Sequence, residues 1–304
     1  MALNNPAFNN PAFQDQRAVQ TYPGGPQAAT IGQSQQASAQ AAAANAAMNA
    51  QLEGAFAAPP AGSAETGRMT MEDSVHKTFA LFGILVVAAV VGWMWSMSTL
   101  SVETQTGPTM LPWIVGGLGG FVLSLAVIFT SRKKVRPGLI FAYAAFEGLF
   151  VGGISAFFEF IWPGIVVQAT LGTLAVVGVT LALFASGKIR ASQRATKIFM
   201  IAMVGYLVFS LLNVVLMWTG VVSDTFGMSS QPSPIFGIPW GVLIGVFVVI
   251  LAAYSLVLDF DQIQQGVRNG APREYGWLGA FGVLVTVVWL YVEILRIIAI
   301  ARGD

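Results

Sequence analysis

Ile238-Pro-Trp-Gly-Val-Leu-Ile-Gly-Val-Phe-Val-Val-Ile-Leu-Ala-Ala-Tyr-Ser-Leu-Val-Leu-Asp-Phe260 carries a single charge, Asp259, next to its end. At 1.5 Å per residue a helix of this length reaches about 34 Å, enough to cross a hydrocarbon core of about 30 Å. Six further runs have the same character: Phe79–Met97, Leu111–Thr130, Leu139–Phe160, Ile165–Phe184, Ile198–Trp218 and Leu278–Ala301. Backbone polar groups in lipid must be satisfied within the span, which helices do unaided. The expected fold is therefore an all-α polytopic membrane protein with seven transmembrane helices. Composition agrees, with 55% hydrophobic residues, 10% charged residues and a mean hydropathy of +0.70. A soluble domain carries about 25% charged residues.

Basic residues supply the expected orientation. Arg132, Lys133, Lys134 and Arg136 follow the second run, Lys188, Arg190, Arg194 and Lys197 the fourth, and Arg268 and Arg273 the sixth. Connectors after the first, third and fifth runs hold no Lys or Arg. Positive charge is retained on the cytoplasmic side, which puts the N-terminus inside and the C-terminus outside. A missed span would break this alternation.

Residues 1–67 differ in kind from 68–304. They begin with a tandem repeat, Asn4-Asn-Pro-Ala-Phe8 and Asn9-Asn-Pro-Ala-Phe13, and continue rich in Ala, Gln, Asn and Gly. Such a segment buries too little apolar surface to offset its ordering entropy, so a disordered cytoplasmic tail is expected. The repeat reads either as low complexity or as a docking motif. No charged-then-apolar leader opens the sequence, so insertion is expected to rely on the internal spans.

Several functions lose support at once. Fifteen basic against fourteen acidic residues give no electrostatic case for a nucleic-acid partner. With no cysteine and one histidine, His76, before the first run, thiol chemistry, disulfides and a zinc-binding His-Glu-x-x-His motif are absent from the sequence. No enzyme and no tightly bound cofactor are expected.

Acids inside the spans are the strongest pointers, because a charge at mid-span costs about 2.5–3.5 kcal/mol on insertion scales. Glu147 sits in the middle of the third run, where it either serves an ion path or pH sensor or makes a structural hydrogen bond to Asn213 or Tyr206 of the fifth. Asp259 and Asp261, two apart, face opposite ways; Asp259 shares its side with Gln262 and is the inward candidate, with Arg132 or Lys133 as its cation. Glu293 and Arg296, at i,i+3, can pair along the last span or contribute to a path. Gly116, Gly117, Gly119 and Gly120, with the pairs Gly148/Gly152 and Gly241/Gly245, mark close helix packing or a homodimer seam.

Tyr143-Ala-Ala-Phe-Glu-Gly-Leu149, Leu258-Asp-Phe-Asp-Gln-Ile263 and Ile294-Leu-Arg-Ile297, in this order and in seven spans, resemble the Bax inhibitor family. This family is also called the transmembrane Bax inhibitor motif family, and the likeness is to its bacterial branch, from Met69 to the end. The resemblance implies a last helix wrapped by the other six and a location in the bacterial cytoplasmic membrane. It also implies a pH-sensitive calcium leak gated by facing aspartates of the sixth and seventh spans. Other members act through partners such as a membrane quality-control protease. Asp259 matches the first aspartate. The second falls on Glu293 if Leu290-Tyr291-Val292-Glu293 is aligned, and on Thr286 if the register is counted back from Leu295-Arg296, the version preferred here. Asp261, Gln262, Asn213, Arg296 and Arg132 are expected to modulate, with calcium as cargo and the bilayer as the constant partner.

Overall fold

A computed structural model describes residues 67–100, 107–222, 224, 226–234 and 237–303. The disordered-tail expectation for residues 1–67 lies outside the described residues but for Gly67. Seven helices are long and apolar enough to cross a membrane: α1 Met71–Met97, α2 Leu111–Ser131, α3 Pro137–Ile161, α4 Ile165–Ala185, α5 Gln193–Trp218, α6 Trp240–Arg268 and α7 Tyr275–Arg302. A short 3₁₀ turn, Gly227–Ser230, lies between α5 and α6. The described residues form no β-strand beyond two isolated bridges.

Two helices outrun their apolar runs by two turns. α1 starts at Met71, two turns before Phe79, because Thr70 accepts from the Asp73 amide at 3.2 Å and Glu72 and Asp73 complement the helix N-terminus. α6 continues past Phe260 to Arg268, since Gln262, Gln264 and Gln265 are tolerated in a helix and the lone Gly266 does not end it before Asn269-Gly270. Gly270, with φ +64°, supplies the left-handed residue that ends it. α4 begins without a capping side chain of its own. Glu159 of α3 fills that role, accepting from the amides of Gly164 at 2.6 Å and Val166 at 3.0 Å.

α7 is the axis of the bundle, with buried residues around its whole circumference from Leu278 to Ile300. α6, α1, α4 and α3 pack directly on it. α2 packs on α3, on the outside. α5 is the most peripheral, burying only Thr196 and Phe199. The remaining apolar surface faces outward, as expected where lipid is the solvent.

Helix contact relies on missing side chains. A Cβ on Gly148 or Gly152 would collide with the α1 backbone at Leu85 or Ala89, and one on Gly116 with the α3 backbone at Phe150. Gly241 and Gly245 make room for Ile300 and Ile297 of α7. These glycines serve packing within the chain.

The start of α1 is stitched to the α6–α7 hairpin. The Met69 amide donates to Ala271 O at 2.7 Å, and the Arg273 amide to Gly67 O at 2.9 Å. Arg190 of the α4–α5 connector donates to Gln264 at 2.5 Å. The even connectors and the beginning of α1 therefore share one end of the bundle, as the charge alternation requires.

Candidate functional site

Ser255, Asp259 and Gln262 stand at i, i+4 and i+7 along α6, a spacing that aligns them on one helix face. Asp259 is 1% exposed and the most enclosed acid of the described residues. Thr286 of α7, itself buried, donates its hydroxyl to Asp259 Oδ2 at 2.6 Å. Ser255 Oγ lies 3.4 Å from the same Thr286 oxygen. Gln262 Oε1 is buried and accepts no hydrogen bond. A carboxylate and two hydroxyls thus belong to one α6–α7 contact, with Gln262 on the same face of α6. Asp261, by contrast, is partly exposed and accepts from Gln265 Nε2 at 2.7 Å, one turn along its own helix.

The residue facing Asp259 is therefore Thr286. Glu293, two turns further along α7, has a separate environment. Arg296 donates to both its oxygens, and the Tyr206 hydroxyl of α5 donates to Oε2 at 2.9 Å. Glu293 is 3% exposed, so this pair is held inside the bundle. Since α5 buries so little apolar surface, the Tyr206 bond is one of the few things holding it. Polar bonds between membrane helices average about 0.6 kcal/mol. Tyr206→Phe should lower the melting temperature in detergent by a few degrees at most, with greater protease access to the α5 ends. An unchanged α5 cleavage pattern would show that the bond does not hold the helix.

Glu147 and Arg132 take other positions than expected. Glu147 lies one turn after Tyr143 on the same helix, and its Oε2 would stand 2.7 Å from a Cβ on Gly120 of α2. It occupies the α2–α3 contact rather than meeting α5. Tyr206 is taken by Glu293, while Asn213 donates to Phe226 O at 3.0 Å and accepts from the Met228 amide at 2.7 Å. Both bonds close the α5–3₁₀ connection, which explains Asn213 structurally. Arg132 lies over the outward-facing Phe129 ring, 5.9 Å from its centre, on the lipid side of α2 and not beside Asp259.

One polar cluster escaped the sequence reading. Asp73 and Lys77, 8% and 6% exposed, form an ion pair within the first turns of α1. Arg273 donates to Asp73 Oδ1 through Nε at 3.0 Å and Nη2 at 2.9 Å. Lys77 also donates to Arg273 O at 2.6 Å and lies 5.4 Å from the centre of the Trp277 ring. The i,i+4 spacing of Asp73 and Lys77 was a readable signal, but Arg273 looked like a connector charge only.

Among the described residues no three of His, Cys, Asp or Glu gather closely enough to hold a metal ion. A family model described as Bax inhibitor 1 like matches residues 5–303. That match takes in most of the N-terminal tail, which the sequence resemblance had left out. A search among curated proteins found no match.

Proposed function

The chain belongs to the Bax inhibitor 1 like family, and from that premise we propose that it is a pH-sensitive cation leak, with calcium as the ion carried. The observation carrying this reading is the buried Asp259 carboxylate held by Thr286 between α6 and α7. Calcium takes oxygen ligands, and Asp259, Thr286 and Ser255 offer three of them together. A carboxylate accepts the Thr286 proton, whereas a protonated carboxyl brings a donor of its own. Protonation therefore changes the contact between two packed helices, which is the physical requirement for a switch. Glu147 at the α2–α3 contact and Glu293 at the α5–α7 contact modulate the path. Residues 1–67 form a cytoplasmic tail, the C-terminus lies outside, and the host membrane is the bacterial cytoplasmic membrane. The protein acts without enzymatic chemistry or a resident cofactor.

A second reading is favoured by the pairing of Gly67 and Met69 with the α6–α7 hairpin. A partner pulling on the tail would pull directly on the two helices that carry Asp259 and Thr286. In this reading the chain regulates a membrane protein such as a quality-control protease and carries no ion. Calcium entry into liposomes containing only the purified protein separates the two. The leak reading requires entry above that of empty vesicles, and the regulator reading requires none.

A further inference from the structure

α1 packs on α3 and α7, α4 packs on α7 and α6, and α1 and α4 do not pack against one another. Between them lies a groove of about 450 Å³, floored by α7 and α3. Its walls are largely apolar, with Phe82, Val86, Val90 and Trp93 on one side and Val166 and Leu174 on the other, where Thr170 and Thr173 donate their hydroxyls to carbonyls of their own helix. The rim residues Val86, Val90 and Leu174 are more than half exposed, which makes the groove continuous with the lipid-facing surface. From Phe82 to Trp93 it runs about 16 Å along α1, about half of the hydrocarbon core and so the depth of one leaflet.

One end of the groove is polar. Ser155 Oγ and Tyr291 OH, both lining it, are 2.6 Å apart. Two hydroxyls bring two protons, and their mutual bond uses one. Gly148 against Leu85 and Gly152 against Ala89 set a register that puts Ser155 near the level of Trp93. The spare proton therefore sits at the Trp-marked end, near where α1 and α3 leave the membrane and where ester carbonyls lie. We propose that this groove is a binding site for one acyl chain of a phospholipid, whose ester carbonyl accepts the spare proton of the Ser155–Tyr291 pair. Val287 and Val288, on the groove floor, directly follow Thr286, so the occupant rests against the stretch of α7 that faces Asp259.

The test uses the full chain in phospholipid vesicles doped with a phospholipid carrying a photoactivatable diazirine in one acyl chain, followed by peptide mapping. Labelling should concentrate on residues 82–93 and 166–174, several-fold above the outward face of α2 at Phe121 and Val122. Val90→Trp and, independently, Leu174→Trp add bulk at opposite rims and should reduce groove labelling several-fold without changing the α2 signal. Ser155→Ala combined with Tyr291→Phe removes both protons of the pair and should weaken groove labelling while the α2 signal stays constant. Groove labelling no higher than at α2, or unaffected in both tryptophan variants, would overturn the proposal. So would labelling by a free fatty acid probe where the phospholipid probe gives none.

Discussion

Asp73→Ala is expected to destabilise the bundle by about 3–5 kcal/mol, the cost of leaving a buried charge without its partner. Lys77 is 6% exposed and would keep only the Arg273 carbonyl and the Trp277 face. Arg273 would lose both of its bonds to Oδ1. The same carboxylate joins α1 to the α6–α7 hairpin, so its loss also loosens the attachment of the first helix to the last two. Arg273→Ala should cost less, because the Arg273 side chain is nearly half exposed and Asp73 retains Lys77. Thermal unfolding in detergent measures both. If Asp73→Ala melts within a degree or two of the wild type, the cluster is solvated and does not fasten α1.

Gly152→Val should prevent assembly of a stable bundle. The new Cβ would fall on the Ala89 carbonyl of α1, a backbone group that no rotamer change can move. α1 and α3 would have to separate along a contact where Gly148 and Gly92 also press against backbone. Without a hydrophobic drive between membrane helices, close backbone approach is a main source of their attraction. A Val here removes it and adds overpacking that typically costs about 1–3 kcal/mol. Gly83→Ala is the control, because nothing lies within 4 Å of its added carbon. Size-exclusion profiles should show a monodisperse Gly83→Ala protein and an aggregated Gly152→Val protein. A monodisperse Gly152→Val protein would contradict the packing account.

The spans were legible because each apolar run is long enough to cross a bilayer unaided, and the alternating basic connectors fixed their number. Where the helices outran the runs, the signals were polar: the Thr70 cap and the glutamines after Asp261 say helix without saying membrane. Asp259 could be preferred over Asp261 because it shares a helix side with Gln262, whereas Thr286 came only from the family resemblance, in one of the two registers it allowed. The three-dimensional partners were harder to read. Glu147 lies one turn after Tyr143 and against Gly120 of α2, whereas the sequence pointed to the fifth span for a partner. Arg132 looked like a counter-charge because it ends α2, but the rotation of α2 turns it toward lipid. Asp73, Lys77 and Arg273 come together only because the start of α1 pairs with the α6–α7 hairpin, a contact of residues about 200 positions apart that no local pattern signals.

The central claim is that protonation at the Asp259–Thr286 contact governs the leak. Its most direct test is the pH dependence of calcium entry into liposomes holding the wild type or Asp259→Asn, reconstituted at equal density and orientation. Asn keeps the size and an oxygen for Thr286 to donate to, but it cannot titrate. The wild type should change its calcium entry with pH, and Asp259→Asn should give a flat profile, while Asp261→Asn, on a partly exposed face of the helix, should follow the wild type. A full wild-type pH response in Asp259→Asn would contradict the account.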